Sequence, residues 1–282
     1  MTTLLAPFRF LMSTAVAAGA LLLVATPASA AGEWRFQFQD RDVSRLVSFG
    51  GSCVRCELSG RDLTGVTFSG ATFTNATLVG ANLRGAELIG SNFSSSDFTR
   101  ADLHGVQIVG ANFSNANLTS ASLNGAEAQG SSFTRANLTD ANLDGASLVG
   151  VNMNGAVLSS ANLRNTELFG ATLANVRARG ADFSSAEMAA SNLSAGDFQS
   201  ASFRDADLDG ARLVGGAFAR ADFSDASMRR TDIRGVDLSA SRGLTQSQIN
   251  GACADGATRL PNGITGVACR GQGRQRQFAS SQ

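Results

Sequence analysis

Bulky apolar residues recur at every fifth position of the chain from Leu58 to Leu238, and the register never shifts. Of these 37 positions, 35 carry Leu, Phe, Ile or Met, and the exceptions are Ala128 and Ala178. A period of five fits neither the helix period of 3.6 residues nor the strand period of two. The pattern therefore indicates an internal repeat rather than one face of an ordinary element. Because a regular repeat offers a surface without a built-in pocket, it also argues against enzymatic chemistry.

Each repeat unit places a small residue two positions before the bulky one and a polar residue between them, as in Ala-Asn-Leu-Arg-Gly at 81–85. In an extended segment, the small and bulky side chains then lie on one side and the polar side chain lies on the other. Gly, Asn or Ser at the fifth position supplies a turn. An extended segment and a turn, repeated without a shift, predict a chain that winds on itself.

These units resemble those of the pentapeptide-repeat family, written A-[DN]-L-x-x, from position 56 to position 240. The resemblance implies an all-β solenoid, a right-handed quadrilateral β-helix with four units per coil, about nine coils and inward-pointing bulky and small side chains. A longer period of four units is visible in the sequence, since Phe73, Phe93, Phe113 and Phe133 recur at that spacing. Coils stacked about 4.8 Å apart would form a rod of about 45 Å.

The chain divides into five predicted segments. Residues 1–30 have the features of a Sec signal peptide, with one charge at Arg9, an apolar run over 10–25 and cleavage after Ala30. The alternative is an uncleaved membrane anchor, although the run is short for a spanning helix. An N-terminal cap (31–55), the repeat region (56–240), a C-terminal cap (241–269) and a disordered tail (270–282) follow. We therefore expect a periplasmic or secreted protein with no membrane segment after cleavage.

The C-terminal cap contains the sequence Thr245-Gln-Ser-Gln248, a capping box that predicts a short helix from Gln246 to about Ala254. The segment from Gly243 also resembles the terminal cap of many bacterial members of the family. Cys253 and Cys269 would close a short loop there.

At the other end, Cys53 and Cys56 form a CxxC pair. Zinc requires four ligands, and the other two cysteines lie at the far end of the rod. Redox catalysis of the thioredoxin type requires a βαβ context that is absent. A structural disulfide in an oxidising compartment is favoured, with free thiols as the alternative.

Composition limits the function further. The basic residues are all arginine, and without Arg9 the mature chain carries a net charge of −1. Near-neutrality argues against nucleic-acid binding. The charge and the signal peptide also disfavour the DNA-mimicking, gyrase-binding role that the family resemblance suggests.

No arrangement of residues points to catalysis, a metal or a cofactor. The single histidine, His104, lies two residues from Asp102, but Asp or Asn recurs at every unit. Glu87, Glu127 and Glu167 align at multiples of four units, on a convex surface without a cleft. We predict that the protein is not an enzyme.

Two surface columns remain as candidate sites. A partly apolar stripe, rimmed by charge, predicts an interface with another protein or with a second copy of the chain; the alternative is that β-branched residues simply suit an exposed sheet. A flat polar lattice could bind a polysaccharide, or could be an Asn ladder that only stabilises the coils. The stripe consists of Ile89, Val109, Val149 and Phe169, and the lattice of Asn92, Asn112, Asn152, Asn192, Thr74 and Thr134.

Overall fold

The computed structural model describes residues 51–269 and the backbone of residues 277–278. The predicted signal peptide (1–30), most of the predicted N-terminal cap (31–50) and nearly all of the predicted tail (270–282) lie outside the described residues. Within residues 51–269, the cysteines, the stripe and the lattice can all be placed.

The repeat region forms coils of four units that stack by parallel backbone pairing. The polar residue of each unit pairs with its counterpart one coil further on, beginning at Ser52↔Thr72 and continuing to Asp222↔Arg242. Asn112, for example, donates its backbone N–H to Ser91 of the preceding coil at 2.9 Å, and Phe93 donates its own to Asn112 at 2.8 Å. Pairing already begins at Ser52, inside the segment that the sequence assigns to the N-terminal cap.

A tight turn ends each unit. The backbone N–H of Ala81 donates to the carbonyl of Leu78 at 3.0 Å, and this bond recurs through the repeats. The second central residue of the turn has positive φ, which favours glycine. Non-glycine residues nonetheless adopt it at many corners, including Asn75 (φ 57°), Arg100 (φ 58°) and Ala190 (φ 57°). The coil therefore tolerates side chains at its corners.

The bulky residue and the small residue of each unit fill the interior. Phe73, Phe93, Phe113 and Phe133 are fully buried and stack in one column, with ring centroids 4.8–5.3 Å apart. Where the small residue is Gly196, a Cβ atom would lie 2.4 Å from the ring of Phe198. Glycine at position 196 therefore leaves space for the phenyl ring of Phe198.

Each coil presents four faces, one for each unit. The apolar–acidic face contains the units that begin at residues 66, 86, 106 and every twentieth residue after that. The uncharged face follows it, with units that begin at 71, 91 and 111. The two mixed-charge faces contain the units that begin at 56 and 76, and at 61 and 81.

The coiling continues past Leu238, where the five-residue period stops. Asp232 pairs with Cys253 and Asp237 with Arg259, so the last coil contains one or two extra residues. The helix α1 (Gln246–Gly251) lies in this coil and buries Ile249. The strand β1 (Gly266–Val267) pairs antiparallel with β2 (Gln277–Phe278).

Side chains of α1 satisfy the backbone of the last regular coil. Thr245 and Gln248 form a capping box at the start of the helix. The side-chain amide of Gln248 donates to the carbonyls of Phe223 and Ala226 at 2.8 and 2.9 Å. The Phe223 carbonyl also accepts the turn bond from Ala226, whereas at Ala226 the Gln248 amide replaces the backbone bond that the next coil donates in the regular repeats, as Ser227 donates to Ala206. Unpaired backbone groups at the end of a sheet invite pairing with another chain.

Candidate interaction surface

The predicted apolar stripe runs along the apolar–acidic face. Ile89 and Phe169 are exposed, at 41% and 56%, and Val109 and Val149 are half-buried between them. Each of the four directly follows a core residue and therefore points outward. They lie in neighbouring coils, with one coil between Val109 and Val149 that contributes Gln129 instead. The structure thus brings the four predicted residues together on one face.

Gln129 interrupts the stripe between Val109 and Val149. Its side-chain amide donates to Ser147 at 2.7 Å, and the Ser147 hydroxyl donates to Glu167 at 2.7 Å. This chain of bonds joins the stripe to the column of carboxylates beside it. The Oε1 atom of Gln129 is buried and has no hydrogen-bond partner among the described residues.

The glutamates of this face are not neutralised. Glu87, Glu127, Glu167 and Glu187 are all exposed, and the salt bridges of the described residues involve only aspartates. From residue 66 to residue 210 the face carries six carboxylates and no arginine. Like charges opposite one another in a sheet are destabilising. On this face only Glu167, Glu187 and Asp207 lie directly opposite one another in successive coils, and there the single sign of charge has an energetic cost.

Glycine corners border the stripe on both sides. None of these glycines would place a Cβ within 4 Å of another atom, so packing within the chain does not require them. The same corner carries Asn, Ser, Arg or Asp at other faces. From Ile89 to Val149 the stripe is therefore flanked by bare backbone on both sides, whereas Asn165 occupies one of the two corners beside Phe169. The border consists of Gly65, Gly85, Gly105, Gly125 and Gly145 on one side, and Gly70, Gly90, Gly110, Gly130, Gly150 and Gly170 on the other.

Sequence reasoning identified the stripe and the glutamate column but missed both the glycine border and the uniform sign of charge. The signal was present, because sorting every column of the four-unit period by residue type shows both features. It was overlooked because glycine at a turn is ordinary in itself. Only the many non-glycine corners elsewhere make its consistent use here informative.

The predicted polar lattice lies on the uncharged face. Over the units from 71 to 195 the face carries one charge, Arg135. The Asn112 amide donates to Asn92 Oδ1 at 3.3 Å, and Ser114 shares a 3.0 Å bond with Ser132. Thr74, Thr134, Asn152 and Asn192 lie in the same two columns, of which Asn152 is exposed and the others half-buried. The side-chain ladder is thus partial rather than continuous.

A more regular ladder lies on a mixed-charge face that sequence reasoning did not single out. The side-chain amides of Asn117 and Asn137 donate to Thr99 and Thr119 of the preceding coil, at 2.8 and 2.9 Å. The threonine hydroxyls in turn donate to the carbonyl oxygens or carboxylates of their own units. Because these polar groups satisfy one another, the ladder stabilises coil stacking.

On the other mixed-charge face, arginines pair with aspartates of the next coil. Arg84 lies 3.1 Å from Asp102, and Arg204 lies 3.4 Å from Asp222. His104 does not bond Asp102 through its ring; its Nδ1 atom lies 2.5 Å from the amide of Asn124. The side-chain arrangement of a catalytic Asp–His pair is therefore not formed here.

The cysteines form two disulfides, Cys53–Cys56 and Cys253–Cys269. Cys53 stands at a bulky position and Cys56 at the next small position, so the first bridge packs against the N-terminal end of the described core. The second bridge joins Cys253, two residues after α1, to Cys269, two residues after β1. Each disulfide therefore lies at one end of the described solenoid.

The C-terminal part of the described solenoid has one surface depression. A shallow depression of about 320 Å³ between Gly215 and Ala240 is lined mostly by Gly and Ala, with Asp237 as its one titratable group. Residues 51–269 contain no cluster of His, Cys, Asp or Glu suited to a metal ion. Within the part of the chain that the structure describes, no helix has the length and hydropathy needed to cross a bilayer.

Carboxyl groups near the C-terminal end are held ionised by hydrogen bonds. The Arg234 side chain lowers the pKa of Asp232, and the Ser224 hydroxyl does the same for Asp222. Burial alone would raise the pKa of Asp209, but bonds from Ser227 and Arg229 lower it overall. Hydrogen bonds from Ser239 lower the pKa of Asp237, and, against the opposing effect of burial, bonds from Gly235 and Thr258 lower the pKa of Asp255.

We expect acid to weaken this end of the solenoid first. A carboxyl whose folded pKa lies below its unfolded value of 3.8 stabilises the fold above that pH, and the stabilisation is lost as pH falls through the folded value. The free energy of unfolding should therefore change little from pH 7 to 5 and fall below about pH 4. At pH 3, hydrogen exchange should show that the backbone amides after residue 209 lose protection before the amides around Phe113 do. Asp232→Asn should reduce the pH dependence, and an unchanged profile in that variant would contradict the assignment.

Extended segments stacked in coils of four units, with one inward bulky residue in five, define a β-solenoid built from five-residue units. The chain belongs to the pentapeptide repeat family, whose model matches in eight copies between residues 52 and 239. The solenoid is a right-handed β-helix, as in the solved members of the family. Proteins of this family are generally structural or interaction proteins rather than enzymes. No protein with a curated description matches the sequence.

Solved structures of pentapeptide repeat proteins resemble the chain over most of its length. HetL, involved in heterocyst differentiation regulation in the cyanobacterium Nostoc sp. strain PCC 7120, is 27% identical, with 79% of this chain and 95% of HetL covered and a TM-score of 0.51. QnrB1, a plasmid-mediated fluoroquinolone resistance protein, is 20% identical, with 73% and 94% covered and a TM-score of 0.41. Rfr23 from the cyanobacterium Cyanothece 51142 is 17% identical, with 66% and 96% covered and a TM-score of 0.23.

Proposed function

We propose that this protein is an exported, non-enzymatic interaction module that binds another protein through its apolar–acidic face. The observation that carries the proposal is the exposed stripe from Ile89 to Phe169, which lies beside glutamates that have no ion pair among the described residues and is bordered mostly by glycine corners. Exposed apolar patches rimmed by polar residues mark protein interaction sites in soluble proteins. The rigid stacked coils would act as the scaffold that presents this face.

The periplasm or the cell exterior is the proposed location. The signal-peptide features of residues 1–30 support it, and so do the two disulfides, because disulfides persist in oxidising compartments. In such a location the partner would be another exported protein or the exposed domain of a membrane protein.

Site-specific photo-crosslinking in living cells tests the proposal. A benzophenone amino acid at Phe169 replaces one exposed aromatic ring with another, and Val109 offers a second position on the stripe. Asn112 on the uncharged face, in the same coil as Val109, is the control. Adducts from Phe169 and Val109, but not from Asn112, are expected. Adducts from neither stripe position would reject the face as an interface.

Glycan binding through the uncharged face is the second candidate, because that face presents amides and hydroxyls with a single charge over seven units. Its partial ladder leaves side-chain amides free to donate to sugar hydroxyls, whereas the regular Thr–Asn ladder next to it is satisfied internally. Retention of the protein on purified cell-wall glycan, with loss in Asn112→Ala/Asn152→Ala, would move the function to this face.

A further inference from the structure

We infer that the partner presents an amphipathic α-helix, apolar along one side and flanked by lysine or arginine, which lies along the apolar–acidic face. The inference rests on the proposed function and specifies the chemistry of its partner. Three observations carry it: the sign of the charge, the spacing of the carboxylates and the bare corners on either side.

The charge selects a cationic partner. Glu87, Glu127 and Glu167 are exposed, have no ion pair among the described residues and share a face with no arginine up to residue 210. On the mixed-charge faces, by contrast, aspartates pair with arginines of a neighbouring coil. Uncompensated carboxylates beside an apolar stripe are complementary to a surface that combines apolar and basic side chains.

The negative charge of this face disfavours a second copy of this chain as the partner. If two copies packed face to face with their rods antiparallel, Glu127 would meet Glu127, and Glu87 would meet Glu167. If the rods were parallel, each glutamate column would be buried against the apolar stripe of the other copy, without a partner. Both arrangements desolvate like or unpaired charges, which is costly.

The spacing selects a helix. Glu87, Glu127 and Glu167 lie two coils apart, which is about 9.6 Å at 4.8 Å per coil. Two turns of an α-helix, or seven residues, rise about 10.5 Å, so one basic residue per heptad stays close to each carboxylate in turn. A strand repeats its side chains on one side every ~6.8 Å and cannot follow this spacing. The stripe from Ile89 to Phe169 covers about 19 Å, the length of roughly 13 helical residues.

The glycine corners let such a helix lie close to the sheet. A helix with its side chains is about 10–12 Å wide and would extend over both borders of a face about as wide as one five-residue unit. Gly110 and Gly130 border the centre of the stripe, and a side chain at either corner would rise beside the helix. Because Asn75 and Asn115 adopt the same backbone conformation, with φ of 57° and 59°, asparagine can occupy these corners without loss of the fold.

Binding of a designed peptide to the mature protein, residues 31–282, tests the inference. The peptide consists of three heptads, with Leu at two positions and Lys at a flanking position of each heptad, and a hydrocarbon staple keeps it helical, since short isolated helices are marginal in water. A second peptide replaces Lys by Glu, and a third has the same composition in strict alternation, which favours a strand. We expect fluorescence anisotropy to show binding of the first peptide only, weakening as salt rises.

Charge exchange provides the specific control. Glu87→Gln/Glu127→Gln/Glu167→Gln should weaken binding of the Lys peptide by about tenfold, since an exposed ion pair contributes a factor of about 1.4–5. Replacement of the same residues by Lys should abolish binding of the Lys peptide and create binding of the Glu peptide. Asp97→Asn/Asp140→Asn/Asp144→Asn removes equal charge from the other faces and should change affinity less than twofold. Gly110→Asn/Gly130→Asn should weaken binding while leaving the unfolding transition in place.

Four outcomes would overturn the inference: equal binding of the Lys and Glu peptides, preference for the alternating peptide, no effect of the glutamate substitutions, or crosslinks from Phe169 only to a second copy. Failure of the inference and failure of the proposed function can be told apart. Adducts from Phe169 to another protein, without helical-peptide binding, would retain the interface and reject the helix. Absence of both adducts and peptide binding would reject both.

Discussion

Phe113→Ala is expected to lower the free energy of unfolding by about 3–5 kcal/mol, whereas Phe169→Ala should change it by less than about 0.5 kcal/mol. The two substitutions remove the same ring from the same solenoid. The Phe113 ring is fully buried and stacks between Phe93 and Phe133, at centroid distances of 5.3 and 5.2 Å. The Phe169 ring is 56% exposed.

The cost at Phe113 comes from a cavity that the coil cannot close. Backbone bonds to the coils on both sides fix the coil spacing, so the neighbouring rings cannot move in to fill the space. Urea unfolding followed by circular dichroism measures the difference. Similar stability losses in the two variants would show that Phe169 packs against something in the folded protein and would remove it from the exposed stripe.

Much of this fold can be predicted from the sequence, because one simple constraint acts at every unit. An inward residue must be bulky at every fifth position, and Ala128 and Ala178, the two exceptions, are buried in the same register. The stripe could be predicted for the same reason. Once the four-unit period is known, Ile89, Val109, Val149 and Phe169 must fall on one face.

The C-terminal coil could not be predicted in the same way. The five-residue period ends at Leu238, yet backbone pairing continues to Arg259, with Ile249 buried where the next core residue is required. The inserted residues lengthen this coil by one residue at Cys253 and by two at Arg259, which hides the continuity from a search for period five. The two hydrogen bonds that the side-chain amide of Gln248 donates to backbone carbonyls join residues far apart in the sequence. They therefore leave no periodic signal in it.

The ends of the solenoid require stabilising contacts that the middle does not. A coil in the middle has two neighbours, whereas a terminal coil has one, so terminal units of repeat proteins depend on capping contacts. In this chain a disulfide lies at each described end, and the C-terminal one also holds β1 close to α1 through Cys269. The two disulfides differ in the length of chain that they close, which allows their contributions to be compared.

Removal of the C-terminal disulfide by Cys253→Ala/Cys269→Ala is expected to destabilise the protein by about 3 kcal/mol, and removal of the N-terminal one by about 2 kcal/mol. The C-terminal bridge closes a separation of 16 residues and the N-terminal bridge a separation of three, so the unfolded chain gains more freedom when the C-terminal bridge is lost. For a solenoid of this size, a loss of about 3 kcal/mol lowers Tm by about 6–12 °C.

The position along the solenoid at which the variant loses protection from hydrogen exchange shows whether the C-terminal disulfide acts as a cap. Hydrogen exchange should accelerate at the amide of Cys253, which donates to Thr231, and in the coils that contact α1, while the amide of Phe93 remains protected. An opened last coil would also expose backbone groups to other chains, so the variant should form concentration-dependent oligomers that Cys53→Ala/Cys56→Ala does not form. A uniform loss of protection along the whole solenoid would mean that the coils unfold as one unit, and the cap would then stabilise the entire rod rather than its end.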